Sequence, residues 1–104
     1  MKLKRNPTGE LQVFKEIWID RGQWSEVSNA PITSPHPWNF AHILPKGKYP
    51  HFRLEHDNIL IMTKDEHYAW DNNREAIRND PMWQKIFTLE TDLLRTYNSK
   101  YAPH

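Results

Sequence analysis

The sequence predicts an α+β fold: two short strands joined by a long loop and followed by a capped helix. An N-terminal helix, a short hairpin and a C-terminal amphipathic helix flank that unit. Three observations carry this prediction. Two brief apolar runs, Trp38 to Leu44 and Ile59 to Met62, are separated by a loop rich in Pro, Gly and Lys. The second run leads straight into Thr63-Lys64-Asp65-Glu66, a capping box. Near the end, Met82, Ile86, Leu89, Leu93 and Tyr97 recur at helical spacing.

The chain has 104 residues, which fits a single domain spanning 1–104. A domain of this size buries a modest share of its surface and depends on a few large anchors. Five Trp supply candidates: Trp18, Trp24, Trp38, Trp70 and Trp83 read most simply as core, with Trp38 and Tyr49 the aromatics to check for exposure. There are no cysteines, so disulfides and thiolate zinc sites are excluded. The formal net charge is +1, so any contact with nucleic acid must come from local clusters of Lys and Arg. No apolar run approaches membrane-spanning length, and the basic start MKLKRNP lacks the apolar core of a signal peptide. A cytoplasmic protein with no membrane partner is the expectation.

In chain order, Met1 to Arg5 reads as a loose basic arm. Asn6 as N-cap and Pro7 at the first position predict a helix start, although Gly9 weakens its first turn. Leu11, Phe14, Ile17 and Trp18 give that helix one apolar face. Arg21 and Gly22 suit its C-terminus as a cation and a cap. Trp24 to Val27 and Ile32-Thr33 read as a small hairpin around Ser28-Asn29-Ala30-Pro31. Ser34-Pro35-His36-Pro37 cannot be regular, because its prolines lack amide donors. Trp38 to Leu44 is strand-compatible and Pro45 ends it. The loop Pro45 to Asn58 follows. Ile59 to Met62 is continuously apolar, as in a strand covered on both faces. A helix begins at Lys64 and extends at least to Asp71. The segment Asn72 to Asp80 is polar and undecided. Asp80-Pro81 opens the last helix, with Trp83, Phe87 and Leu94 beside its main stripe, and Ser99 to His104 reads as frayed.

The chemistry concentrates between Asn39 and Asp71. His42 ends the first strand. His67 and Asp71 are four apart on the following helix, on one face, and can share a divalent metal. A neutral imidazole at His42 can take a proton from water while a metal stabilises an anionic phosphate. Asn58 sits where the loop rejoins the second strand. Its amide can donate to and accept from loop backbone, and so aim the strand that holds His42. Lys46, Lys48 and Arg53 lie in the loop, placed to contact phosphates of a nucleic acid. Each residue also has a plainer reading: a hydrogen-bonded structural His42, a surface His67, a solvated or salt-bridged Asp71, a turn Asn58, a solvated Lys46 and Lys48.

The phrases FAHILPKGKYP, DNILIMT and DEHYAWD, in that order, resemble an HNH endonuclease of the ββα-metal (His-Me finger) class. They are similar to small phage and bacterial members. The resemblance spans roughly residues 24–71, and a ββα-metal core would occupy about 37–72. It implies a metal-dependent DNA endonuclease or nickase with His42 as general base, Asn58 holding the loop, and His67 and Asp71 as metal ligands. Mg²⁺ is the expected ion, with Mn²⁺, Ni²⁺ or Zn²⁺ as alternatives. DNA is the expected partner, and a homodimer or a larger nuclease or phage assembly is compatible with so small a domain. Two departures stand out. Ala41 occupies the position where most members carry a metal-binding Asp or His, leaving His36 or His56 to fill the gap. The Cys pairs that many members place around a structural zinc are absent, and Ser25 to Ser28 falls about where the first pair would. The alternative is a catalytically degenerate HNH-fold module that binds nucleic acid or a protein partner without cleavage.

Overall fold

The computed structural model describes residues 9–101. Helix α1 (Glu10–Arg21) is followed by strand β1 (Phe40–His42) and strand β2 (Ile59–Ile61), then α2 (Lys64–Asn72), α3 (Arg74–Ile77) and α4 (Gln84–Tyr101). The architecture is α+β, as the sequence predicts, with a two-stranded antiparallel sheet at its centre. Phe40 pairs with Ile61, Ala41 with Leu60 and His42 with Ile59. Two further bonds extend the ladder: Ile43 N donates to Asn58 O and Met62 N to Asn39 O, both at 2.8 Å. No helix among the described residues is long and apolar enough to cross a membrane.

The sheet is covered on both faces, which is why β2 is apolar at every position. Alternation sends Phe40, Ile59 and Ile61 toward α1, where they pack with Phe14, Ile17 and Ile32. Phe14 and Phe40 stack with centroids 4.6 Å apart. Ala41, Leu60 and Met62 point the other way, into a larger cluster with Trp70, Trp83, Ile86 and Leu93. Burying Trp70 and Trp83 there contributes the largest apolar anchors of the fold.

The sheet's outer edge is closed by side chains from the N-terminal third. The edge groups of β2 would otherwise lack partners or invite another strand. Glu26 N donates to Ile61 O at 2.7 Å, and Ile61 N donates to the Glu26 carboxylate at 2.8 Å. Arg21 donates to Ile59 O at 2.6 Å, to His56 O, and to Glu26 at 3.0 Å. The expected role of Arg21 as a dipole-matching cation is therefore a small part of what it does. Gly22, at φ 86°, ends α1 in a conformation that favours glycine and returns its amide to Trp18 O.

The loop Pro45 to Asn58 is more ordered than its composition suggests, with short 3₁₀ turns at Pro50–Phe52 and His56–Asn58. Asn58 closes it. The side chain is completely buried, its Oδ1 accepts from Leu44 N at 2.8 Å, and its Nδ2 donates to Leu44 O at 3.0 Å and Phe52 O at 3.3 Å. The expected capping box at the start of α2 is present: Glu66 N donates to Thr63 Oγ1 at 3.1 Å and Thr63 N to the Glu66 carboxylate at 2.9 Å. Asp80 caps the last helical segment through Met82 N at 2.9 Å.

Several sequence expectations are corrected. The cap at Asn6 and Pro7 and the basic arm lie outside the described residues; α1 begins at Glu10 with Gly9 as its cap. The expected hairpin reduces to one bridge, Trp24 to Pro31, because Glu26 gives its amide to β2 and Pro31 has none to give. The first strand is shorter than Trp38–Leu44, since Pro37–Asn39 forms a 3₁₀ turn. Asn72–Asp80 contains α3. The last helix runs to Tyr101 rather than fraying at Ser99, and 102–104 lie outside the described residues. Trp24 and Trp38 are exposed, not core, and Trp18 is half-buried. Leu11 and Met82 are exposed as well; the 3₁₀ turn at Pro81–Trp83 rotates Trp83 inward in place of Met82.

Replacing Asn58 by Ala strands buried groups of Leu44 and Phe52, at about 1–3 kcal/mol each. Asn58→Ala is expected to lower unfolding stability by about 3 kcal/mol or more in urea titrations, and Asn58→Asp not to rescue it, because a carboxylate cannot donate to the two carbonyls.

Candidate functional site

A cleft of about 420 Å³ opens where α1, the end of β1 and α2 meet, and four of the sequence-predicted residues line it: His42, Lys46, His67 and Asp71. Glu10, Phe14, Pro37 and Arg74 are among its other walls. β1 delivers His42 because alternation from Phe40 turns both toward α1. His42 is half-buried, and its ring meets Phe14 edge-on at 6.3 Å.

The tautomer of His42 follows from its partner. Its Nε2 lies 2.8 Å from the main-chain carbonyl of Arg53. A carbonyl only accepts, so Nε2 carries the proton and the neutral ring keeps its lone pair on Nδ1. Burial is the main influence on its pKa and pushes it below the ordinary 6.5; the Arg53 carbonyl and Glu10 oppose this, while Lys46 and His67 add to it. His42 is therefore a neutral imidazole at pH 7, the form that a general base needs.

His67 is fixed from both sides. Its Nδ1 donates to Trp38 O at 2.7 Å, and its Nε2 lies 3.1 Å from Asp71 Oδ2. With Nδ1 committed as a donor, the neutral ring would present the Nε2 lone pair to a carboxylate oxygen. A proton on Nε2 or a cation between the two atoms resolves that clash. The donor pair thus suits a divalent ion, with an imidazole nitrogen and a carboxylate oxygen one helical turn apart. The pair offers two donors: among the described residues no group of three or more His, Cys, Asp or Glu that could hold a metal ion is present. Ala41 is fully buried and faces the Trp70 side of the sheet. His36 is stacked on Trp38 at 4.2 Å, and His56 pairs with Glu16 at 3.0 Å. Each is thus engaged elsewhere than at Asp71.

The remaining expected residues divide. Asn58 does not line the cleft; its amide is used on the loop that carries Arg53. Arg53 reaches the site through its main-chain carbonyl on His42, while its Nε lies 3.7 Å from Glu10. Lys46 holds the Glu10 carboxylate with both oxygens at 2.9 and 3.0 Å. Lys48 lies off the cleft, with its ammonium 5.9 Å from the Tyr49 ring centre.

Sequence reasoning missed Glu10 and Arg74. The signal for Glu10 was present: it stands four residues before Phe14 and so shares the helix face that packs on the sheet. Arg74 follows Trp70 by four and lies over its ring at 3.5 Å, donating to Trp70 O and Glu90. Comparison of the chain with protein-family models, with curated proteins and with solved structures gives no match.

The His42 shift sets a sign for pH dependence. Its folded pKa is depressed, so between that value and 6.5 the unfolded chain binds more protons. Stability from this group is therefore present above pH 6.5 and is lost as pH falls toward the folded pKa. An NMR titration is expected to place His42 below 6.5, and His42→Gln to flatten the decline in urea midpoint on acidification across that window.

Proposed function

We propose that the chain is a metal-dependent DNA endonuclease of the HNH (ββα-metal) type, cleaving or nicking phosphodiester bonds. The carrying observation is the single cleft onto which neutral His42 and the His67–Asp71 pair both open. The motif order along the chain supports the same reading.

In this reading a backbone phosphate enters the cleft beside Lys46. Burial holds His42 neutral, and the Arg53 carbonyl keeps the proton on Nε2, so that Nδ1 is the basic nitrogen. As Nδ1 takes a proton from water, the water oxygen bonds to phosphorus and the ester bond to the leaving oxygen breaks; that oxygen takes a proton from solvent. His67 and Asp71 would hold a divalent ion, which would supply charge stabilisation to the phosphate and the leaving oxygen. Trp38 O keeps the His67 ring oriented, so Nε2 stays on the Asp71 side. Glu10 and the Arg53 carbonyl favour the imidazolium that His42 becomes.

Ala41 favours a second reading, a catalytically degenerate HNH-fold module that binds nucleic acid or a protein partner without cleavage. Its burial leaves the strand side of the cleft without a ligand. That reading requires salt-dependent DNA binding that survives His42→Ala with no turnover.

Supercoiled plasmid incubated with the protein and Mg²⁺, Mn²⁺, Ni²⁺ or Zn²⁺ separates the two. The nuclease reading expects nicked or linear product from wild type and a fall of about 10²–10⁴-fold in His42→Ala. Equal rates in both proteins, or no product from wild type with any ion, contradict it.

A further inference from the structure

The charged groups at the mouth of the cleft leave one contact unexplained. Lys46 Nζ binds both oxygens of Glu10, at 2.9 and 3.0 Å. Arg53 approaches the same carboxylate, yet its Nε stops at 3.7 Å. That Nε is buried and has no hydrogen-bond partner. A buried donor without a partner is costly, on the order of 1–3 kcal/mol. The Glu10 side chain is only 13 % exposed, while Lys46 is 51 % exposed and reaches it from the solvent side. Two cations thus converge on one carboxylate, which hydrogen-bonds Lys46 and meets Arg53 Nε only as a longer ion pair.

The shape of the anion accounts for the mismatch. A carboxylate offers two oxygens in one plane. With both within hydrogen-bond distance of Lys46, the carboxylate meets Arg53 Nε only as an ion pair at 3.7 Å. A phosphate presents oxygens in tetrahedral directions, so it can bind an ammonium and a guanidinium N–H together. The same corner borders the reacting group, because the Arg53 carbonyl holds His42.

We propose that Lys46 and Arg53 form a site for one phosphate group and that Glu10 is its built-in competitor, occupying the site until a substrate phosphate displaces it. The proposal rests on the nuclease reading for the identity of the physiological ligand, but the site itself is defined by its binding chemistry. Glu10 is the first residue of α1, fixed by Gly9 at φ 80° and by Phe14 stacked on Phe40 one turn later. Substrate entry then exchanges one ion pair for another, which lowers affinity for isolated phosphates and favours a polyanion that makes further contacts.

The test is binding, read without turnover. A fluorescein-labelled DNA duplex is titrated with wild type, Glu10→Gln and Glu10→Asp in EDTA, and anisotropy is followed across a salt series. Inorganic phosphate is the competing ligand in a parallel arm, which separates a general phosphate site from one that needs a DNA strand. Glu10→Gln is expected to bind DNA several-fold more tightly than wild type, with a log K against log salt slope steeper by about 0.9, one added phosphate contact. Glu10→Asp, which retains the charge but withdraws it, is expected to fall between. Lys46→Ala in the Glu10→Gln background is expected to abolish the gain. Unchanged or weaker DNA binding by both folded variants, checked by circular dichroism, overturns the proposal; should Glu10→Gln fail to fold, Glu10→Asp alone decides it by the same criterion. Phosphate competing at lower concentration in Glu10→Gln than in wild type supports a general phosphate site, whereas tighter DNA binding without that change supports one that needs the strand. Absence of plasmid cleavage would sink the nuclease reading and leave this result standing; unchanged binding would sink this proposal and leave cleavage standing.

Discussion

The buried amide of Asn58 is the constraint on which the rest of the arrangement depends. It accepts from Leu44 N and donates to Leu44 O and Phe52 O, so one side chain ties the start, the middle and the end of a long loop. Its own main-chain carbonyl accepts from Ile43 and continues the β1–β2 ladder. The loop therefore leaves and rejoins the sheet at fixed points. Arg53 follows directly on Phe52, and its carbonyl holds His42 Nε2. The tautomer of the candidate base is thus set by a residue that never touches the cleft. The Asn58 bonds in this chain of contacts are buried, where such bonds are strongest, and only the last, to His42, is part-exposed.

The sheet divides the labour between its faces. One face carries Ala41, Leu60 and Met62 against Trp70 and Trp83, where apolar burial supplies most of the stability of a chain without disulfides. The other carries Phe40 and His42 toward α1, and there packing shades into chemistry at Phe14, Glu10 and the cleft. α2 joins the two sides: Trp70 enters the core while His67 and Asp71 stay at the cleft. Ser25 donates to Glu66 and accepts from Val27 and Ser28, so the N-terminal segment is tied to α2 through its capping box. Hydrogen bonds at Ser25, Glu26 and Arg21 thereby fasten the segment that the HNH resemblance would fasten with zinc-binding cysteines.

Local signals were legible wherever the sequence alone satisfied the backbone. The Thr63/Glu66 box and the Asp80-Pro81 start need only neighbours three residues apart, and both stand where the pattern puts them. The apolar run of β2 announced burial on two sides. Illegible features depend on partners far along the chain. Glu26 gives its amide to Ile61, 35 residues away as its side chain is also, which no hairpin pattern reveals. Trp38 looks like core by composition, yet its 3₁₀ turn leaves the indole 44 % exposed and uses its carbonyl on His67. The order of His42 and His67, which line the cleft, and of Asn58, which braces the loop between them, was legible because it is linear. The engagement of Lys46 and Arg53 by Glu10 was not, because it arises from how α1 lies on the sheet.

The proposed activity requires that two donors on one helix face, His67 Nε2 and Asp71 Oδ2, hold a divalent ion beside a neutral His42. The most direct measurement is anomalous scattering from crystals grown with Mn²⁺. A peak is expected within bonding distance of both atoms, about 2 Å from the imidazole nitrogen, that disappears in His67→Ala. A crystal saturated with Mn²⁺ that shows no peak at this pair, with His67 and Asp71 still in direct contact, would contradict the proposed activity.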